Sequence, residues 1–372
     1  MSVKKQFLTH EVINQPQPLP ACNLWRIDTP LREAVARNGG EWAADHLDAH
    51  GALAGGELME LGDLANRHKP ILRAFDRHGR RIDEVEFHPA YHAVMRHAMA
   101  AQVHSFSWRH ADQPGAHVAR AALMYLSSQP EAGTGCPLTM THAAIPTLHH
   151  APALAAEWIP RLIANGYDPR TLPAAQKTAC TIGMGMTEKQ GGSDVRRNAP
   201  RAQRLSDGSY ELIGHKFFFS APMCDAHLVL AQAEGGLSCF LVPRVLDDGT
   251  LNAVRIQRLK DKLGDWSNAS SEVEFQGASA HRVGEEGRGI ATILEMVALT
   301  RLDCMIGSAA GMRQALVQAL HHTRQRHAFG NVLAEQPLMR NVLADLALES
   351  EAAIALTLRV ARAVDASGRA TR

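Results

Sequence analysis

Residues 183–195, "GMGMTEKQGGSDV", decide how this chain is read. A short strand-like run ends near Thr187 and passes into Gly191, Gly192, Ser193 and Asp194. Glycines let backbone N–H groups approach a ligand closely and can form an anion-binding nest. Ser193 can donate to a phosphate oxygen, and Thr187 offers a hydroxyl and a main-chain amide to the polar edge of a flat heterocycle. No Gly-Lys-Ser/Thr follows, so this is not a Walker loop. No helix-opening G-x-G-x-x-G lies in a βαβ unit, so it is not a dinucleotide fingerprint. On these residues alone two readings stay open: a cofactor cradle, or a surface turn with an N-cap serine.

A second stretch, "GHKFFFSAP" at 214–222, bears on that choice. Strand alternation sends Phe218 and Ser220 to one face and Phe217 and Phe219 to the other. Either this is a barrel core strand, or Phe218 stacks on a cofactor ring while Ser220 bonds its edge. Around it, "SYELIGHKFFFS" reads as two strands joined tightly at Gly214. "HLVLAQAEGGLSCFLVP" reads as a hairpin, and "SEVEFQG" alternates again. Residues 179–285 therefore form a middle β domain of short antiparallel strands.

On either side the period is helical. Residues 1–20 are polar and proline-rich and read as an extended arm, and 30–178 as alanine-rich helices. Pro89 suits a first helical turn, a helix over 115–129 ends at Pro130, and one over 155–166 closes at Gly166. Residues 289–329 and 336–366 predict two long helices, the second apolar or small on most of its circumference. Two long helices do not close a bundle. The expected division is 1–178, 179–285 and an incomplete bundle over 286–372, an α+β chain.

Bulk composition sets limits. With 372 residues, two or three domains are expected; 45% hydrophobic and 21% charged residues describe a globular protein. A net charge of +1 supports no chain-wide nucleic-acid surface. None of the six cysteines forms a C-x-x-C pair, and adjacent histidines such as His149–His150 do not face one ligand, so no metal is expected. The first twenty residues lack a signal-peptide core, and no run approaches the roughly 18 apolar residues of a membrane span. A cytoplasmic protein with reduced thiols is expected.

The helical N-terminal region, "GMTEKQGGSD", "GHKFFFS" and the long-helix motif "RQRHAFG" resemble the acyl-CoA dehydrogenases. "DAHLVLAQAEGGLSCFLVP" and "RLKDKLGDWSNASSEVEFQ" narrow the resemblance to the AidB branch, flavoproteins of the adaptive response to DNA alkylation. The resemblance runs from about residue 10 to 366 and implies FAD, a homotetramer and an acyl-CoA ligand. It implies a cofactor set of Met184, Gly185, Met186, Thr187, Gly191, Gly192, Ser193, Phe218, Phe219 and Ser220, with Arg326 and Phe329 reaching the FAD of a neighbouring subunit. Met186 and Thr187 would border the flavin ring, Gly191 to Ser193 the pyrophosphate, and Phe218 would replace a stacking tryptophan without its N–H donor.

The chain also departs from that family. Dehydrogenation of an acyl thioester needs a carboxylate base at the α-carbon. The usual tyrosine- or tryptophan-glutamate-glycine motif is absent, and Glu286 of "GEEGRG" sits in a loop that does not match it. At the alternative base position stands Thr300, beside Arg301, which would line the pocket. The catalytic residue is therefore unassigned. The resemblance implies a shortened C-terminus, with double-stranded DNA bound only by a basic region beyond Arg372. Two rivals are an ordinary acyl-CoA dehydrogenase of lipid or amino-acid breakdown, and a non-catalytic flavin- or DNA-binding protein.

Overall fold

The structure, a computed structural model, describes residues 7 and 9–370. Residues 1–6 and 8 of the expected arm, and 371–372, lie outside the described residues. From the arm onward the helices are α1 (Leu24–Ile27), α2 (Thr29–Arg37), α3 (Ala44–Ala54) and α4 (Glu57–Arg67). After a hairpin, β1 (Ile71–Phe75) and β2 (Arg81–Glu86), follow α5 (Pro89–Ala100), α6 (Phe106–Arg109), α7 (Ala116–Ser128), α8 (Gly135–Leu148) and α9 (Pro152–Leu162). Helix α5 starts as expected, with Pro89 in its first turn and the His88 side chain accepting from the Ala90 N–H. The hairpin was not anticipated. Asp76 accepts from the N–H groups of His78 and Arg80, and Gly79 has φ +75, so "DRHG" turns the chain inside the helical region.

The middle sheet contains β3 (Ile182–Gly185), β4 (Arg201–Arg204), β5 (Tyr210–Ser220), β6 (Ala226–Ala233), β7 (Gly236–Pro243), β8 (Val254–Leu259) and β9 (Ser270–Val283). Its order is β3-β6-β4-β5-β9-β7, and β7 also pairs β6, so the strands curl into a barrel. The β6–β7 hairpin forms as expected around Ala233 and Gly236. Two expectations need correction. The sheet is not wholly antiparallel, because β3 and β4 pair β6 in parallel. Residues 210–220 are one strand, not two. Gly214, at φ +151, pairs with Phe275 inside the strand rather than making a turn, the nearest register shift falling between Leu212 and Ile213, and a Cβ on Gly214 would lie 2.6 Å from Pro200.

Two long helices close the chain, α10 (Gly289–Thr323) and α11 (Pro337–Ala370). "RQRHAF" is not helical: between them β10 (His327–Ala328) and β11 (Asn331–Val332) form a small hairpin. Helix α9 ends at Leu162, short of Gly166. Helix α8 carries buried Leu138, Met140, Ala143, Ala144 and Leu148 and packs on both α10 and β3. Thr141 accepts from the Ile182 N–H at 3.1 Å, so a helix hydroxyl starts the strand that leads to the glycine loop. Among the described residues, no helix is long and apolar enough to cross a membrane.

Candidate functional site: a ledge at the end of β3

Strand β3 delivers Met184 and Met186 to the edge of a core cluster, with Gly185 buried between them. A Cβ on Gly185 would meet the Phe219 ring at 2.5 Å, so the glycine makes room for that ring. Thr187 is tied to the neighbouring strand, its carbonyl accepting from the Phe217 N–H at 2.9 Å. The chain then reverses: the N–H groups of Glu188 and Gly191 each donate to the other's carbonyl at 3.0 Å, with Gly191 at φ +140. Gly192 folds back onto Thr187, where a Cβ would lie 2.6 Å from its hydroxyl oxygen. Ser193 and Gly191 are exposed. Among the described residues, no acceptor engages the backbone N–H of Gly192 or Ser193. Unengaged backbone donors of this kind are what an anion-binding nest requires.

Beneath the loop lies a charged pair that pattern reading passed over. Lys216 Nζ donates to Glu188 Oε1 at 2.7 Å and to Asn198 Oδ1 at 3.0 Å, and both charged side chains are fully buried. The second Glu188 oxygen accepts from the Ala199 N–H at 3.0 Å and from Gln190. Burial lowers the Lys216 pKa, and the bond to Glu188 opposes that shift. The signal was present: Tyr210, Leu212 and Lys216 all point inward from β5, so a lysine there needs a buried partner.

The expected alternation fails across Phe217–Phe219, where the β5–β9 register shifts. Lys260 Nζ sits 3.1 Å over the Phe217 ring and 5.7 Å from that of Phe218, so these two rings do not take opposite faces. Phe218 is 44% exposed, whereas Phe219 is in the barrel core, stacked on His227 with centroids 3.9 Å apart. Phe219 is thus removed from the candidate ring-facing set. Ser220 remains partly buried beside Ser270, with hydroxyl oxygens 3.1 Å apart.

The helical candidates lie elsewhere. Thr300 donates back to the Val297 carbonyl at 3.0 Å. Arg301 is exposed on α10. The ionic contact on this turn belongs to Asp303, buried with Arg120 of α7 and also accepting from Thr139 of α8. Glu286 is held by Tyr210, the Gly235 N–H and Arg282, a structural post for the β7 turn. Arg326 donates to the Asn14 carbonyl at 2.5 Å, and Phe329 stands 96% exposed at the tip of the β10–β11 hairpin. Neither touches the ledge within one chain. Among the described residues, no three His, Cys, Asp or Glu side chains gather as a metal site.

The ledge thus offers three hydroxyls, of Thr187, Ser193 and Ser220, free backbone donors and one half-exposed ring, a donor set suited to a flat, phosphorylated group. Comparison with known proteins gives the same frame. Residues 14–169 match the adaptive response protein AidB N-terminal domain, 183–278 the acyl-CoA dehydrogenase middle domain, and 287–372 the acyl-CoA dehydrogenase C-terminal domain. AidB of Escherichia coli (strain K12) is 54% identical over 96% of this chain, which spans 66% of that protein. The structure named Bd2924 apo-form is 29% identical with a TM-score of 0.87, over 96% of this chain and 72% of that one. Caenorhabditis elegans ACDH-11 in complex with C11-CoA is 27% identical with a TM-score of 0.88, over 100% of this chain and 65% of that one.

Proposed function

Because the chain belongs to the acyl-CoA dehydrogenase family, as an AidB-like member whose family implies a flavin, we propose that it binds FAD on the β3 ledge. The observation that carries this is the meeting of the 186–193 loop with Phe218 and Ser220, two separate stretches joined through the Thr187–Phe217 bond. In this reading Met186, Thr187, Phe218 and Ser220 hold the ring, and Gly191, Gly192 and Ser193 take the pyrophosphate. Arg326 and the exposed Phe329 complete the site of a neighbouring copy in a homotetramer. When bound, the flavin supplies a hydride acceptor. The rest falls to the chain: Thr187 and Ser220 orient the polar edge, and Phe218 shields one face from water.

The proposed ligand is an acyl-CoA thioester, as C11-CoA is for the worm protein. Thr300 cannot take its α-proton, since a neutral hydroxyl bonded to a carbonyl is no base at neutral pH. The proposed domains are 1–178, 179–285 and 286–372, in a cytoplasmic protein of the response to DNA alkylation. Contact with double-stranded DNA is not assigned to these residues.

The test is flavin content. Thr187→Ala combined with Phe218→Ala should strip most flavin from the purified protein while circular dichroism stays native. Unchanged flavin absorbance in that double variant would sink the assignment.

A further inference from the structure

The described part of the N-terminal arm, residues 9–20, is largely exposed. Yet Asn14 is bonded to Arg326 and His327, 312 and 313 positions away. Its amide pairs with His327 as a strand partner would: Nδ2 donates to the His327 carbonyl at 2.8 Å, and Oδ1 accepts from the His327 N–H at 2.8 Å. The Asn14 carbonyl accepts from Arg326 Nη1 at 2.5 Å. Three residues on, the Gln17 N–H donates to Gln325 Oε1 at 2.9 Å, and the Gln17 carbonyl lies 2.7 Å from His321 Nε2. Asn14 makes its contacts from φ +56, a left-handed conformation that asparagine tolerates better than most residues.

The segment so held is the base of the β10–β11 hairpin. The tip is a two-residue loop, Phe329–Gly330, with φ of +54 and +80. Loops of that kind favour Asn-Gly or Gly-Gly. Phe329 stands there in a strained backbone conformation with its ring in water. Neither the strain nor the exposure helps a single chain to fold. Hydrogen bonds as exposed as those of Asn14 compete with water and contribute little to a lone chain. They gain strength where a neighbouring surface excludes that water. Val12 and Ile13, which precede Asn14 and are 71% and 69% exposed, offer such a surface apolar ground to cover.

We propose that Asn14 is a positioning residue for the cofactor site of a neighbouring copy: it latches the arm to the hairpin base and so sets where Arg326 and Phe329 are presented. This rests on the reading above, in which those two residues complete that site. Arg326 uses one N–H on Asn14 and has others for a phosphate.

The test starts with Asn14→Gly, which keeps the left-handed backbone and removes the amide. Circular dichroism should stay native, the His327 N–H should exchange with solvent faster, and flavin should bind about tenfold more weakly, the net effect of two neutral hydrogen bonds. The deciding measurement is made in mixed oligomers. Asn14→Gly and the Thr187→Ala, Phe218→Ala double variant, carrying different affinity tags, are co-expressed and purified through both tags. In the proposed assembly a site takes its ledge from one copy and its hairpin from another. The Asn14→Gly chain supplies an intact ledge and the double variant an intact latch, so the mixed oligomers should hold more flavin per chain than the mean of the two variants alone. A role confined to the folding of its own chain gives only that mean. The mean value, an absence of mixed oligomers, parent-like exchange at His327, or parent-like flavin affinity in Asn14→Gly would overturn the proposal. The ledge reading is judged apart from it: the double variant alone decides that one, and a flavin-poor double variant beside a parent-like Asn14→Gly would count against the latch only.

Discussion

Lys216→Met tests whether the buried pair builds the ledge. Methionine nearly keeps the volume but removes the ammonium that bonds Glu188 at 2.7 Å, Asn198 at 3.0 Å and the Met186 carbonyl at 3.4 Å. Glu188 is then left fully buried with the Ala199 N–H and Gln190. It must stay charged without its counter-ion or take up a proton. Removing one partner of a buried pair costs roughly 3–5 kcal/mol, because the charge left behind is buried and uncompensated. Against a domain stability of about 5–15 kcal/mol, that loss should be plain in urea unfolding. Because the pair fixes Met186 and Glu188 directly, flavin content should fall with it. Adding Glu188→Gln should recover about half of the loss, since a neutral amide needs no counter-ion. A Lys216→Met midpoint within about 0.5 kcal/mol of the parent, or no recovery in the double variant, would refute the reasoning.

Three further outcomes are expected. His50, His104 and His227 are buried, and desolvation holds them down to about 4, about 4 and about 3. An unfolded histidine takes a proton near 6.5, above those folded values. Stability is therefore complete above about pH 6.5 and falls toward pH 4 by about 1.4 kcal/mol per unit for each histidine; a flat urea midpoint across that window contradicts this. Helix α11 exposes Leu338, Leu346, Leu348 and Leu356 while burying Ile354 and Leu358. Burying a leucine contributes roughly 1.5–3 kcal/mol, so light scattering should show an oligomer or aggregates, and a monomer stable to dilution contradicts it. Acyl-CoA thioesters mixed anaerobically with the flavin-loaded chain should bleach it slowly, because losing a general base typically costs about 10²–10⁴-fold. Rapid stoichiometric bleaching with any of them would mean a base other than Thr300.

Much of the fold could be read from period and punctuation. The change from helical spacing to alternation at 179, and back at 289, marks where β3 follows α9 and where α10 begins. The glycine loop was legible because Gly191 and Gly192 are required by backbone conformation and by Thr187. Gly214 misled for the same reason in reverse: a glycine demanded by Pro200 looks in sequence like one demanded by a turn. The Phe217–Phe219 faces were misassigned because alternation holds only where the ladder is regular, and a bulge there swings Phe217 and Phe218 toward Lys260.

Three long-range ionic pairs escaped for a different reason, and they are what fix the geometry. Lys216–Glu188 seats the loop on β5, Lys177–Asp225 ties the segment before β3 to the start of β6, and Arg120–Asp303 joins α7 to α10. Their partners are separated in sequence by 28, 48 and 183 positions, so no local period relates them. Each places charge where desolvation is costly, and apolar replacement of both partners is often no less stable. Hydrophobic contact alone would tolerate small slips of the loop against β5, whereas a 2.7 Å bond between two buried charges does not. On that account the pairs contribute position more than stability. The proposed site would depend on them, because in that reading a ring and a pyrophosphate are met by Thr187, Ser193, Phe218 and Ser220 at once.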